Sequence, residues 1–175
     1  MITIRKAQVE DIPQIRAVGS ASWRATYTGI FPDEFIENVL EQWCSDTSFQ
    51  GSIPNAALCN LVAERDGQIV GTLMGTVNPR EEGQVHLYRL YIHPDHFGQG
   101  IGKQLWQAYL QHLAPGVKRV DLDVEPQNAR AIQFYTRLGF QETGINETEA
   151  FGYTMKTMLM TLNLQVGQGA KATLP

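Results

Sequence analysis

The residues with the most legible chemistry run Leu90-Tyr91-Ile92-His93-Pro94-Asp95-His96-Phe97-Gly98-Gln99-Gly100-Ile101-Gly102-Lys103. The order reads as a strand, a glycine-rich turn and the start of a helix. Glycines at alternate positions let the backbone approach a ligand without Cβ atoms in the way. The helix that follows points free N–H groups and a positive dipole end at the turn, which makes an anion site that a pyrophosphate fits. Two familiar phosphate motifs fail on spacing. A P-loop needs a glycine where Phe97 stands and a Ser or Thr where Gln104 stands. A dinucleotide fingerprint counted from Gly98 and Gly100 needs its third glycine at Lys103. Taken alone, the turn also fits a plain strand-to-helix connection.

The elements that must position this turn follow from hydrophobic period. Ile2 to Lys6 alternates and predicts a short strand. Val9 to Tyr27 predicts a helix with Ile12, Ile15, Gly19 and Trp23 at helical spacing, Glu10 and Asp11 at its positive end, and Gly29 as its stop. Pro32-Asp33-Glu34 predicts a second helix start, with Phe35, Ile36, Val39, Leu40 and Trp43 as its buried stripe. Residues 44 to 57 are rich in turn formers and predict a loop. Leu58 to Arg65 and Gln68 to Val77 predict a hairpin across Asp66-Gly67. After a polar loop at 78 to 83, Gln84 to Ile92 predicts a third strand of this group. Helices are expected over Gly100 to Leu113 and Asn128 to Leu138, the latter capped by Asn128. Val117 to Val124 predicts a strand between them. Phe140 to Gly144 predicts a short extended piece, and Phe151 to Leu164 a long last strand. The order is β-α-α-β-β-β-α-β-α-β-β, a mixed α/β (α+β) sheet of about seven strands with helices on both faces. Residues 1–164 are expected to form one domain and 165–175 a frayed tail.

Composition narrows the function classes. The chain has 175 residues, 43% hydrophobic and 18% charged, with a formal net charge of −4. That suits a globular domain with a real core. No basic stripe is visible, which argues against nucleic acid. No apolar run approaches the ~20 residues needed to span a bilayer, and the N-terminus lacks signal-peptide order. The two cysteines, Cys44 and Cys59, lack metal-ligand spacing and predict buried thiols in a reducing compartment. A cytoplasmic protein without a metal is the expectation.

At two places the sequence resembles the Gcn5-related N-acetyltransferase (GNAT) family. The family's first signature is Arg or Gln, two residues, Gly, one residue, then Gly or Ala, after a strand that ends near a proline. Phe97-Gly98-Gln99-Gly100-Ile101-Gly102 matches it in its glycines and departs from it at Phe97. The second is an Asn, then an Ala, an aromatic pair, three residues and Gly-Phe. Asn128, Ala131, Phe134-Tyr135 and Gly139-Phe140 match it. The resemblance covers residues 2 to about 162, and it implies an enzyme moving an acetyl group from acetyl-CoA to a primary amine.

The resemblance also implies roles. Leu90, Tyr91 and Ile92 would offer backbone groups to the pantetheine arm. Phe97, Gly98, Gln99, Gly100, Ile101, Gly102 and Lys103 would surround the pyrophosphate, and Asn128 would sit near the arm while capping its helix. Tyr135 would protonate the departing thiolate. A backbone N–H near Ile92 would receive the carbonyl oxygen as it gains charge. An alkylamine with pKa ~10.4 costs about 4–5 kcal/mol to deprotonate at pH 7. Many relatives place a glutamate on the strand before the turn for this purpose. Here no acid lies between Gln84 and Ile92, which leaves His86 as the candidate base alongside a water chain. The acceptor pocket would be walled by Trp23, Arg24, Tyr27 and Phe31 on one side, and by Glu147, Glu149, Phe151 and Tyr153 on the other. Trp23, Arg24, Tyr27 and Glu149 are the substrate-binding candidates. The acceptor class is a small amine, either an amino-acid derivative or a polyamine. A protein N-terminus or lysine is the enzymatic alternative, and a non-catalytic acyl-CoA-binding module is the alternative from another class. A monomer or homodimer is expected.

Overall fold

The computed structural model describes residues 1–164. The tail expectation at 165–175 lies outside the described residues. The elements are β1 (Thr3–Lys6), α1 (Ile12–Tyr27), α2 (Asp33–Trp43), α3 (Asp46–Ser52), β2 (Leu58–Arg65), β3 (Gln68–Thr76), β4 (Gln84–Ile92), α4 (Ile101–Leu110), β5 (Arg119–Val124), α5 (Ala129–Arg137), β6 (Gln141–Ala150) and β7 (Tyr153–Asn163). The seven strands form one mixed sheet in the order β1-β2-β3-β4-β5-β7-β6. The residues group into two compact units. The first holds Met1–Gly75 with Arg89–His112, and the second holds Thr76–Tyr88 with Leu113–Leu164 of the described residues.

In the first unit, α1 begins with Pro13 in its first turn, where a missing N–H costs nothing. It buries Ile12, Ile15, Val18, Gly19, Ser22 and Trp23, a stripe at spacings of three and four. A 3-10 turn at Val9–Asp11 precedes it. Asp11 thus stands at the N-terminus of α1, where the sequence places an acid, and it also closes an ion pair. Its carboxylate accepts Arg5 Nη1 at 2.6 Å, Arg5 Nη2 at 2.9 Å and the Gln8 N–H at 2.8 Å. The 44 to 57 segment is not all loop. Ser45 Oγ accepts the Ser48 N–H at 3.1 Å and starts α3, which buries Phe49. The cap was readable, but a helix of 7 residues is too short to show a period.

β4 carries helices on its two faces, because successive side chains point opposite ways. Tyr91 points toward α1: a Cβ added to Gly19 would lie 3.6 Å from its ring and 3.4 Å from Cys44 Sγ. Ile92 points toward α4. There Gly71 of β3 makes room, since a Cβ would lie 2.8 Å from Ile92 Cδ1 and 3.2 Å from both Ile101 and Leu105. Trp106, Tyr109, Ile101 and Leu105 of α4 are at most 1% exposed. At about 1.5–3 kcal/mol per large apolar side chain, that face alone holds α4 in place.

In the second unit, β4 pairs with β5 in parallel over Gln84–Leu87 against Arg119–Leu122. β5 runs antiparallel to β7 over Arg119–Val124. Val85, Leu87, Val120, Leu122 and Val124 are buried. The residues between them, His86, Asp121 and Asp123, share the opposite face. α5 is capped by Asn128, whose Oδ1 accepts the Ala131 N–H at 3.1 Å. β6 is an edge strand of 10 residues and pairs with β7 across a bulge between Glu142 and Gly144. This corrects the expected short extension at Phe140–Gly144. Glu147 and Glu149 therefore stand on a strand. Neither face of β6 is covered, so the alternation that reveals half-buried strands is absent from its sequence.

Candidate active site

The glycine turn is built from backbone conformation. Phe97 is extended (φ −60°, ψ 149°), and its N–H donates to Pro94 O at 3.1 Å. Gly98 and Gly100 follow at φ 74° and 75°. Those are left-handed angles that a β-branched residue takes only under strain. A Cβ on either would meet nothing within 4 Å, so it is φ and not crowding that demands glycine here. The space over the turn is open. Gly100 is the residue before α4, and the first helical bond is Gln104 N–H to Gly100 O at 3.2 Å. The N–H groups of Ile101, Gly102 and Lys103 thus lie ahead of the helical ladder. Left-handed glycines, open space and a ten-residue helix start fit a pyrophosphate. Ile101 itself points inward and is 1% exposed. Gln99 Nε2 donates to Asp95 O at 3.2 Å, and Arg65 Nη1 lies 3.3 Å from His96 Nδ1; both contacts brace the turn from outside.

The face of β4 toward α1 carries side-chain chemistry. Trp23 Nε1 donates to Tyr91 Oη at 3.1 Å, and burial pushes the Tyr91 phenol well above its ordinary pKa. Trp23 is 6% exposed and acts on its surroundings through Tyr91 and through Tyr27, whose ring centroid is 4.4 Å away. Tyr27 in turn meets Phe31 at 5.8 Å. Arg24 faces Glu37 of α2, which accepts Nε at 3.1 Å and Nη2 at 2.8 Å. Its charge is matched within the protein. The sequence could not show this partner, which lies on the next helix.

Arg89 lies on β4 two residues before Tyr91. Its Nη2 donates to Ser48 Oγ at 2.8 Å, its Cζ lies 4.9 Å from the Phe49 ring centroid, and its Nη1 is buried without a hydrogen-bond partner. Burial raises the Cys44 thiol pKa, and the Arg89 and Arg16 charges oppose the rise. Burial also pushes the Cys59 thiol up to about 11. Both cysteines are buried, and neither is in a disulfide.

In the second unit, Tyr135 is 9% exposed, and its ring meets Phe134 at 5.2 Å and Phe140 at 5.5 Å. Two aromatic neighbours fix the ring and so the direction of the hydroxyl. His86 Nε2 lies 3.3 Å from Asp123 Oδ2, and the His86 ring stacks 4.6 Å from Tyr88. A carboxylate on one ring nitrogen sets the tautomer and leaves the other for chemistry. Glu125, one residue past β5, is a buried carboxylate that sequence reasoning passed over. Its Oε2 accepts the Gln127 N–H at 2.6 Å, which shapes the turn into Asn128. An acid directly before Pro126 at a strand end was the available signal. Glu149 accepts the Thr154 hydroxyl across the β6–β7 hairpin, and Glu147 pairs with Lys156 at 3.3 Å. The described residues hold no cluster of metal-ligating side chains, and no described helix is long and apolar enough to cross a membrane.

Comparison with known proteins fits these features. The chain is 34% identical over 156 residues to the peptidyl-lysine N-acetyltransferase YjaB of Salmonella typhimurium, covering 87% of this chain and 92% of that protein. It is 28% identical over 160 residues to the spermidine N(1)-acetyltransferase of Thermoplasma acidophilum, covering 89% and 96%. The crystal structure of the PaiA N-acetyltransferase from Thermoplasma acidophilum in complex with coenzyme A superposes with a TM-score of 0.78 at 26% identity, covering 94% of this chain and 99% of that one. Residues 20–140 match the acetyltransferase (GNAT) family, a span that includes the glycine turn, Asn128 and Tyr135. The chain is a member of the GNAT family of acetyltransferases, with acetyl-CoA as its acetyl donor.

Proposed function

We propose that the protein acetylates a small primary amine by direct attack within a ternary complex. The observation that carries the reading is the turn, where two left-handed glycines under open space precede the start of α4. The backbone of Phe97–Lys103 holds the pyrophosphate of acetyl-CoA, and Leu90–Ile92 offer strand-like backbone groups to the pantetheine arm. The amine lone pair attacks the thioester carbon; a C–N bond forms, the C–S bond breaks, and coenzyme A leaves as the thiolate. Tyr135 supplies the proton the thiolate takes up. His86, oriented by Asp123, takes the proton the amine loses. Asn128 has a role toward the arm besides its cap. Trp23, Arg24 and Tyr27 of α1, and Glu149 of β6, are assigned to the acceptor.

Spermidine and peptidyl-lysine, for which two relatives are named, both carry amines on flexible alkyl chains. That common feature supports a primary alkylamine acceptor, with a protein lysine as the second reading. A cytoplasmic setting suits two buried cysteines outside any disulfide. The test is a panel of amines, amino acids and lysine peptides assayed for thiol release from acetyl-CoA. Thiol release that depends on a small amine supports the proposal, while release only with peptides moves it to the second reading. Acetyl-CoA binding without release for any amine would make the protein a binding module.

A further inference from the structure

We infer that Arg89 is the docking point for a carboxylate on the acceptor, so that the substrate is an amine that also bears an acid group. The inference rests on the proposed acetylation of a small amine. It starts from the arginines and their partners. Arg5 has Asp11 and Glu64, Arg16 has Asp46, Arg24 has Glu37, and Arg119 has Glu82 and Asp121, while Arg65 meets the His96 ring and the exposed Arg80 meets the Tyr88 hydroxyl, neither with a buried nitrogen left over. Arg89 has no carboxylate within 4.0 Å among the described residues, although its Nη1 is the buried one. A guanidinium that is partly dehydrated and lacks a counterion is the arrangement proteins most avoid.

The surroundings hold the group in place without discharging it. Ser48 Oγ takes Nη2 and the Phe49 ring lies beside the guanidinium carbon; both partners are neutral. A serine hydroxyl and an aromatic face orient a guanidinium, but neither neutralises it. What remains is a planar fork suited to two parallel hydrogen bonds with one carboxylate. The residue is half-buried rather than sealed. A side-chain rotamer change of the kind that commonly accompanies ligand binding can bring the fork onto the ligand. Arg89 shares its face of β4 with Tyr91, two residues on, whose hydroxyl takes the Trp23 indole. The unpaired charge therefore lies on the strand face where α1 presents its acceptor candidates. Arg24, the cation that sequence alone points to, is occupied by Glu37. A diamine finds at Arg89 a like charge, and an amino acid finds the missing half of an ion pair.

The experiment uses matched probes with the full-length protein: β-alanine, γ-aminobutyrate and ε-aminocaproate, each against its carboxamide, and L-lysine against cadaverine. For the acid of fitting length, wild type should show a KM lower than that of its amide by roughly tenfold or more, the usual worth of a charge-assisted bond. Arg89→Met should bring the ratio to about one while leaving kcat and the acetyl-CoA KM close to wild type, and Arg89→Lys should restore part of the preference. Ser48→Ala, which keeps the charge and loosens its anchor, should give an intermediate ratio. Should every probe fail to turn over, acetylation of these amines is refuted, and the docking point is then read by thermal shift. The acid but not the amide should raise the Tm of wild type and not of Arg89→Met. Equal KM for acid and amide in wild type, or a preference that survives in Arg89→Met, overturns the inference. So does the absence of any acid-specific thermal shift when there is no turnover.

Discussion

The glycine turn and the α1 face of β4 lie a few residues apart along the chain and are built by opposite means. The turn offers backbone. Its glycines are fixed by φ and its N–H groups by the start of α4. The α1 face offers side chains held by other side chains: Trp23 on Tyr91, Arg24 on Glu37, Arg89 on Ser48 and Phe49. A backbone site suits a donor that never changes, since any sequence with the right φ values serves. A side-chain site suits an acceptor that differs between relatives, because one substitution re-aims it without disturbing the fold.

The most damaging change to the backbone side is Gly100→Val. Its φ of 75° costs a β-branched residue about 1–3 kcal/mol. Relaxing that strain turns the first N–H groups of α4 away. Acetyl-CoA should then lose its thermal stabilisation of the protein, read by a thermal shift titration, and unchanged affinity would break the backbone half of the contrast. Tyr135→Phe should lower turnover ~10²-fold with acetyl-CoA binding nearly intact, since the ring still packs between Phe134 and Phe140. Equal kcat in steady-state assays would return Tyr135 to a packing role.

Arg5 shows what a completed guanidinium does, and it sharpens the contrast with Arg89. Hydrogen bonds from Arg5 hold the Asp11 carboxyl well below the ordinary carboxylate range. A lowered carboxylate pKa contributes stability that is present above the unfolded value and lost as pH falls through the folded one. Asp11→Asn should cost roughly 2–3 kcal/mol at neutral pH, with the gap to wild type closing in acid, as measured by urea denaturation across pH. Tyr27→Ala should raise the acceptor KM severalfold and leave the acetyl-CoA KM alone, the signature of lost uniform binding. If only the acetyl-CoA KM moves, the acceptor is not at α1. Arg24→Ala should change stability by less than about 1 kcal/mol, because its pair with Glu37 is exposed to water and screened.

The same contrast explains what could be read from the sequence. The turn was legible because glycine is nearly the only answer to a left-handed φ, so Gly98 and Gly100 announce their geometry locally. The Asp66-Gly67 hairpin was legible for the same reason, with both residues at positive φ. The β6–β7 hairpin makes its turn with Phe151 and Gly152, also both at positive φ, but a phenylalanine does not announce a turn, and an edge strand with both faces open has no alternation. The sequence therefore predicts only a short extension at Phe140–Gly144 where β6 runs Gln141–Ala150. The α1 face of β4 was illegible for another reason: Arg24 and Glu37, or Arg89 and Ser48, are brought together by the packing of separate elements. A residue type in the sequence says that a charge is present, and only the fold says whether it is already paired.

The central claim is acetyl transfer from acetyl-CoA to a small amine, and its most direct test is the stoichiometry of a single reaction. The protein is incubated with acetyl-CoA and the amine panel, free thiol is counted, and the acetylated amine is quantified by mass spectrometry. The account predicts equal amounts of thiol and N-acetylated product for at least one small amine, with both lost in Gly100→Val. Thiol release without acetylated amine, or acetyl-CoA binding with neither product, would contradict it.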